Sequence, residues 1–348
     1  MRVLHVDHQQ LRRYGKTKVS WNEKLRYGLI KNDFYVQSFS DRDVAAFEAP
    51  FGIRDLGRKK ANQRLIEMSE AVEPDILLAG HCDIITNKTL ARIKKQQPNC
   101  TIVHCNNDGL FNPSNVDRLK YRAEVADALF VSTGRKELTM LEGIGARIYH
   151  MPNPVEPSID ILDNSKKTSL PIDLLFCSHA TKHTNRLEMI KNIQTSIEGK
   201  MNFEVFGGHG KPSVWGRDYE HVLSQTKMGL NLNRQNNFYW YSSARMAQLA
   251  GNGILQFTHN ALGFDDLLPD ETVVYFENES DLVNKILEFH RDDEKRQAWA
   301  GRCREFFHRE MNTTLYARYI VEAALLIPFS HDYVWAQNIN LNGSLKYK

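Results

Sequence analysis

Ser242, Ser243, Arg245 and Gln248 stand together between two apolar runs, Met228–Leu232 and Ile254–Thr258. Two serines ahead of an apolar-periodic stretch, with Gly251 and Gly253 behind it, predict a helix over Ala244–Ala250 between two buried parallel strands. A helix that begins beyond the carboxyl end of a strand presents unbonded N–H groups and a positive dipole end, which is a setting for a phosphate. In that first turn Arg245 gains nothing from the dipole, so its guanidinium is expected to face an anion or an internal carboxylate. One turn on, the Gln248 amide suits hydroxyl groups. Serine-opened helices with one arginine are also common where nothing binds, so the surroundings have to decide.

Several strand ends nearby and upstream carry further chemistry. Ile172–Cys177 reads as a strand whose loop holds Lys182 and whose following helix opens with Arg186. Phe203–Phe206 is another, and Gly207 and Gly208 after it let backbone approach a ligand closely. In the first half, Asp75–Ala79 leads to Gly80, His81, Cys82 and Asp83, and Thr101–Cys105 leads to Asn106, Asn107, Asp108 and Gly109. Successive strands so placed deliver polar side chains to one rim. Asp108 is the first candidate for a general base and His81 the second, against the plain reading of Asp108-Gly109 as a turn. His81-Cys82 and His104-Cys105 do not make a zinc site, because neighbours on a strand point to opposite faces.

The spacing of Arg245, Gln248 and Gly253 resembles the R-x-x-E-x-x-x-x-G signature of GT-B glycosyltransferases, nearest to the CgeB-like (spore-maturation-type) relatives of family 4. The pattern departs from it in having Gln248 for the glutamate and Trp240 where family 4 proper places its first motif glutamate. The resemblance implies an α/β chain of two Rossmann-like domains facing across a cleft, with a C-terminal helix returning to the first. It implies a hexosyltransferase-like enzyme using a nucleotide-diphosphate sugar, with no cofactor and no metal. Lys182, Arg186, Gly207, Gly208, Asn231, Tyr241, Ser242, Ser243, Arg245 and Gln248 would hold the donor. Asn107-Asp108 resembles the Asp-Asp-Pro-type turn of these proteins with one acid lost. The acceptor would be a glycan or a lipid-linked molecule such as lipopolysaccharide or another cell-surface polysaccharide. An inactive nucleotide-sugar-binding protein and a sugar-nucleotide epimerase of the same fold stay open as alternatives.

Two basic stretches invite an anionic partner. Arg12, Arg13, Lys16 and Lys18 surround Gly15 in the first loop, which lacks the P-loop pattern. Arg54–Val72 reads as a helix whose first half, including Arg58, Lys59 and Lys60, carries five basic residues against one acidic. Such a face suits an anionic membrane surface, or is only solvated. With a net charge of +3, 42% apolar and 25% charged residues, the 348-residue chain is an ordinary globular one, and no nucleic-acid partner is expected. Five cysteines without a C-x-x-C pair, no long apolar run and no signal-peptide core near Met1 point to the cytoplasm, with peripheral attachment to the inner membrane face if the basic helix is used.

Length and strand–helix alternation predict two domains. The first covers 1–155, a proline-rich and polar linker 156–170, the second 171–311, and the returning helix with its tail 312–348. Further helices are expected at Trp21–Lys31, Val116–Ala126, Gly134–Leu141, Arg186–Ile197, Asp218–Leu223, Ser280–Phe289, Asp293–His308 and Thr314–Leu326. The chain from Phe39 to Gly52 is read as irregular, and the tail from Pro328 has no legible pattern.

Overall fold

Strands buried on both faces appear in sequence as unbroken apolar runs, and such runs form the centres of two sheets. The computed structural model describes residues 1–9, 11, 21–179, 184–339 and 345–347, except for the side chains of 337–339 and 345–347. The chain divides into two compact units, Met1–Pro152 with Thr313–Lys348, and Asn153–Asn312.

The first unit contains β1 (Arg2–Asp7), α1 (Trp21–Lys31), β2 (Tyr35–Ser40), α2 (Asp41–Phe47), α3 (Arg54–Val72), β3 (Ile76–Ala79), α4 (Asn87–Gln96), β4 (Thr101–Asn106), α5 (Pro113–Ala123), β5 (Ala128–Val131) and β6 (Arg147–His150). Its strands lie in the order β6-β5-β4-β3-β1-β2, all parallel. Every residue of β3 and β5 is buried. The register pairs Val6 with Ala79, so the next residues along, Asp7 and Gly80, leave the sheet side by side.

The second unit contains β7 (Ile172–Cys177), α6 (Asn185–Ser196), β8 (Phe203–Phe206), α7 (Gly216–Ser224), β9 (Thr226–Asn231), α8 (Ala244–Gly251), β10 (Leu255–His259), β11 (Val274–Phe276), α9 (Glu279–Arg291) and α10 (Asp293–Glu310). Its parallel sheet runs β11-β10-β9-β7-β8. Alternation along β7 sends Leu174 and Phe176 into a cluster with Ile190, Leu230, Phe257 and Ile286, and Leu175 into another with Val222, Leu249 and Ile254. Both units therefore use one plan, in which the first strand lies between the second and third, and the order reverses beside it.

The chain then returns to the first unit as α11 (Thr313–Leu325), followed by β12 (Gln337–Ile339) and β13 (Leu345–Tyr347), which extend the first sheet antiparallel from β6. Gly28 of α1 lies against Thr313, where a Cβ would come within 2.1 Å of the Thr313 carbonyl oxygen. Arg147 Nη1 and Nη2 donate to the carbonyls of Ala323 and Ala324, both at 2.8 Å, placing a cation at the negative end of α11. The tail that carried no pattern is held by aromatic side chains: Trp335 packs at ring-centroid distances of 4.2 Å from Tyr316, 5.8 Å from Tyr319 and 5.5 Å from Tyr333. Glu322 accepts from Ser330 N at 3.1 Å and Tyr333 Oη at 2.8 Å.

Four local expectations are corrected. The stretch read as irregular forms α2, opened at Ser40 with Asp41 and Asp43 in its first turn, and then a 3-10 turn at Pro50–Gly52. The helix α4 was not expected; Thr86 caps it by accepting from Thr89 N, and Leu90 and Ile93 are buried. Gly134–Leu141 is a 3-10 helix over Arg135–Leu141. The segment 156–170 is packed into the second unit rather than strung out: Asn164 is buried and donates to the carbonyls of Leu223 and Thr226 at 2.7 and 2.8 Å. Because Trp335 is fully buried, Trp335→Ala is expected to cost about 3–5 kcal/mol, measured as a lower urea midpoint with an unchanged slope.

Candidate functional site

In each unit the point where strand order reverses leaves two strand ends diverging, and that gap is where ligands of such sheets bind. In the second unit the gap lies between the ends of β7 and β9. Arg245 spans it. Its Nε and Nη2 donate to the Cys177 carbonyl at 3.2 and 2.9 Å, and its Nη1 donates to the Leu232 carbonyl at 2.9 Å. The guanidinium carbon lies 5.1 Å from the centroid of the Phe176 ring. Arg245 therefore faces backbone carbonyls, not the carboxylate that was one expectation.

Arg186, at the start of α6, shares the same anchor. Its Nη1 donates to Leu232 O at 3.3 Å, it lies 5.6 Å from the Phe176 centroid, and its Nε is buried with no hydrogen-bond partner among the described residues. Burial, then the charges of Arg245 and Arg234, bring its pKa down to about 10. Burial also lowers that of Arg245. Among the described residues neither arginine has a carboxylate partner. Two guanidiniums over one ring, bonded among the described residues to carbonyls, have the charge and donors that an anion would take as a charge-assisted partner.

Ser243 begins α8 but does not cap it. Its hydroxyl donates to Asn231 Oδ1 at 3.0 Å, and Asn231 Nδ2 donates to Thr258 Oγ1 at 3.2 Å, which leaves the first turn of α8 without a side-chain cap. Ser242 is committed elsewhere: its Oγ accepts from Asn153 N at 3.1 Å and its carbonyl from Asn153 Nδ2 at 2.8 Å. Gln248 Oε1 accepts from the hydroxyl of the half-buried Tyr219 at 3.2 Å, so the amide oxygen expected to meet hydroxyl groups already has a donor. Tyr241 is half-buried, and its carbonyl accepts from Asn233 at 3.4 Å. Gly207, at φ 80°, passes Ser178 so closely that a Cβ would lie 1.9 Å from that carbonyl oxygen, and a Cβ on Gly208 would meet Leu187. Trp240, where the family glutamate would stand, donates through Nε1 to Gly263 O at 2.7 Å and braces the loop. Lys182 lies outside the described residues, as do Arg12, Arg13 and Lys16.

In the first unit the gap lies between β1 and β3, and the residue there is Asp7, at the end of β1. It is 2% exposed. Asp7 Oδ1 accepts from His8 N at 2.6 Å and His81 N at 3.1 Å, while Oδ2, 3.9 Å from His5 Nε2, has no hydrogen-bond partner among the described residues. Gly80 is required beside it, since a Cβ would fall 1.8 Å from Asp7 Oδ2. Burial raises the Asp7 pKa to about 6 against the pull of His81, and lowers that of neighbouring His5 to about 4. His81 Nε2 sits 2.5 Å from Asn107 Oδ1. Asp108 is half-exposed and its Oδ2 accepts from Arg118 Nη2 at 2.8 Å. The rim thus joins Asp7, His81 and Asn107, with Asp108 following in an ion pair. Arg58 and Lys60, on α3, pair with Asp55 at 3.7 Å and Glu48 at 4.0 Å, and Lys59 is exposed.

Comparison with known proteins agrees with this architecture. Residues 185–322 match a family described as glycosyl transferase-like. No curated protein sequence matches the chain. Sucrose-phosphate synthase from Thermosynechococcus elongatus is similar in structure at TM-score 0.62 and 11% identity, over 94% of this chain and 99% of that one. Anabaena Alr3699/HepE in complex with UDP-glucose reaches 0.58 at 12% identity, over 94% and 100%. A putative UDP-N-acetylglucosamine 2-epimerase from Listeria monocytogenes reaches 0.53 at 13%, over 92% and 95%. TarM gives 0.54 at 13%, and there the match spans 76% of this chain and only 58% of the longer one. The two Rossmann-like units are those of the GT-B fold.

A buried carboxyl with a raised pKa has a definite signature. Unfolded, Asp7 loses its proton near pH 4, and folded near pH 6, so between these values the folded state holds more protons and stability contributed by this group falls as pH rises. Asp7→Asn has no charge to bury. The melting temperature of Asp7→Asn relative to the parent is expected to climb on the order of 5 °C between about pH 4.5 and about pH 7. A constant difference would show that Asp7 is not buried as a strained acid.

Proposed function

We propose that the chain is a metal-independent glycosyltransferase of the CgeB-like, family 4-related group. It would move a hexose from a nucleoside-diphosphate donor in the second unit to a glycan or lipid-linked acceptor, of the lipopolysaccharide or cell-surface polysaccharide class, at the first. The observation that carries this reading is the Arg186–Arg245 pair at the strand-order reversal, cationic, largely desolvated and lacking a carboxylate. As the bond between the anomeric carbon and the diphosphate breaks, negative charge grows on the leaving oxygen. Arg186, Arg245 and the uncapped N–H groups of α8 supply the compensation that a metal provides elsewhere. The acceptor hydroxyl gives its proton to Asp108, or to His81 beside it. In a retaining mechanism the leaving phosphate takes that proton. The work would take place in the cytoplasm.

One observation favours a neighbouring reading. Gln248 replaces the family glutamate and its oxygen is taken by Tyr219, which suits a chain that binds a nucleotide sugar without turning it over. Incubation with a panel of nucleotide sugars separates the readings: sugar transfer or donor hydrolysis supports the transferase, binding alone the inactive relative, and interconversion of epimers a sugar-nucleotide epimerase.

Among the described residues Arg186 makes one long hydrogen bond, so Arg186→Ala is expected to leave melting nearly unchanged and weaken nucleoside-diphosphate binding by about 1.5–3 kcal/mol in calorimetry. Equal affinity in the two proteins would take this arginine out of the site. Asp108→Asn is expected to keep nucleotide affinity and lower transfer by roughly 10²–10⁴-fold. Turnover near the parent's would make Asp108 a turn residue and pass the proton to His81.

A further inference from the structure

Four large apolar side chains are exposed in one short stretch: Phe47 at 65%, Phe51 at 98%, Ile53 at 52% and Leu56 at 62%. Single exposed apolar residues are ordinary, but a contiguous group marks a surface that something covers. Phe51 is held at φ 58°, a left-handed conformation that side chains with a Cβ rarely adopt, and it makes no use of it for packing. The turn is pinned by Gly52 N to Ala49 O at 3.2 Å and Ile53 N to Pro50 O at 3.3 Å. Its base is firm. Gly57 lets α3 cross α2 so closely that a Cβ would lie 1.7 Å from Ala45 O, and Ala45, Ala61 and Ile84 pack together beneath.

Cations surround this tip. Arg54, Arg58, Lys59 and Lys60 are exposed on the opening turns of α3. Nearby carboxylates are already matched, Asp55 by Arg58 at 3.7 Å, Glu48 by Arg64 at 2.6 Å and Asp83 by Arg42 at 2.7 Å, with Arg54 adding its charge near Asp83. Among the described residues Arg54 and Lys59 make no ion pair. Apolar tips ringed by unmatched cations complement a surface that is anionic outside and apolar within. A two-fold contact with a second copy would instead set these cations against their own duplicates.

We propose that the α2–α3 hairpin docks the protein on an anionic phospholipid bilayer, with Phe51 inserted deepest, Phe47, Ile53 and Leu56 at the interface, and Arg54 and Lys59 on lipid phosphates. The hairpin is also bonded to the loop that follows β3. Asp41 Oδ2 accepts from Ile84 N at 3.1 Å, Arg42 Nε donates to Asp83 Oδ1 at 2.7 Å, and Arg58 Nη1 donates to Asp83 O at 3.3 Å. That loop begins at His81, so docking carries the rim to the lipid surface. The docking stands without the transferase reading; only the delivery of a lipid-linked acceptor to that rim rests on it.

The test is sedimentation of the full chain with phosphatidylcholine vesicles, with and without phosphatidylglycerol, at low and high salt. Binding is expected to need the anionic lipid and to weaken with salt. Phe51→Asn, which suits the left-handed turn, is expected to lower the partition coefficient about tenfold or more while melting and nucleoside-diphosphate binding stay unchanged. In Phe51→Trp, the new indole's emission should shift to the blue when anionic vesicles are added. Equal pelleting with neutral vesicles, or equal pelleting of the parent and Phe51→Asn, overturns the proposal. Self-association or protein capture that Phe51→Asn abolishes, without vesicle binding, overturns it in favour of a protein partner. Vesicle binding in a chain that binds no nucleotide leaves the docking intact and rejects the transferase reading alone.

Discussion

A guanidinium bonded to two strand ends sets the terms for the second unit. Where strand order reverses, β7 and β9 diverge, and the carbonyls of Cys177 and Leu232 are left without a ladder partner. Arg245 supplies both with donors, and the ring of Phe176 carries its face. The price is a desolvated positive charge that carbonyl dipoles balance only in part. Arg186 adds a second to the same place. The device that joins the two strand ends thus leaves positive charge at the reversal.

The equivalent point of the first unit carries the opposite sign. Asp7 occupies the reversal between β1 and β3, accepts from two backbone N–H groups, and is held partly protonated near neutral pH by burial. The reversal in one unit therefore holds guanidiniums and the reversal in the other a buried carboxyl. That difference arises from the residues at each reversal, Asp7 at the end of β1 and Arg245 on the helix after β9, rather than from any difference in fold.

Sequence reading recovered the parallel strands because a strand buried on both faces leaves an unbroken apolar run, as at Ile76–Ala79 and Ala128–Val131. It missed α2 and α4, which are short and take their ends from Ser40 and Thr86 rather than from a long apolar period. It found the residues of α8 but not their partners. Carbonyl acceptors have no signature in sequence, so Arg245 looked ready for a ligand when half its donors brace the sheet. Ser242 and Gln248 are turned to Asn153 and Tyr219 for the same reason. The tail was opaque because Trp335, Tyr333 and Phe329 have no helical or strand period; their order comes from aromatic contacts with a helix already in place.

The chain leaves the first unit at Pro152 and re-enters it at Thr313. In order of synthesis, the strands β1–β6 are finished well before α11 exists. Until then the face of α1 at Gly28 has no helix against it, Arg147 has no carbonyls to bond, and Phe130 and Tyr149 lack Tyr319. The second unit, an uninterrupted segment with its own core, has all its parts as soon as Asn312 is made. The later half of the chain can therefore reach its final packing first, and the earlier half is completed last.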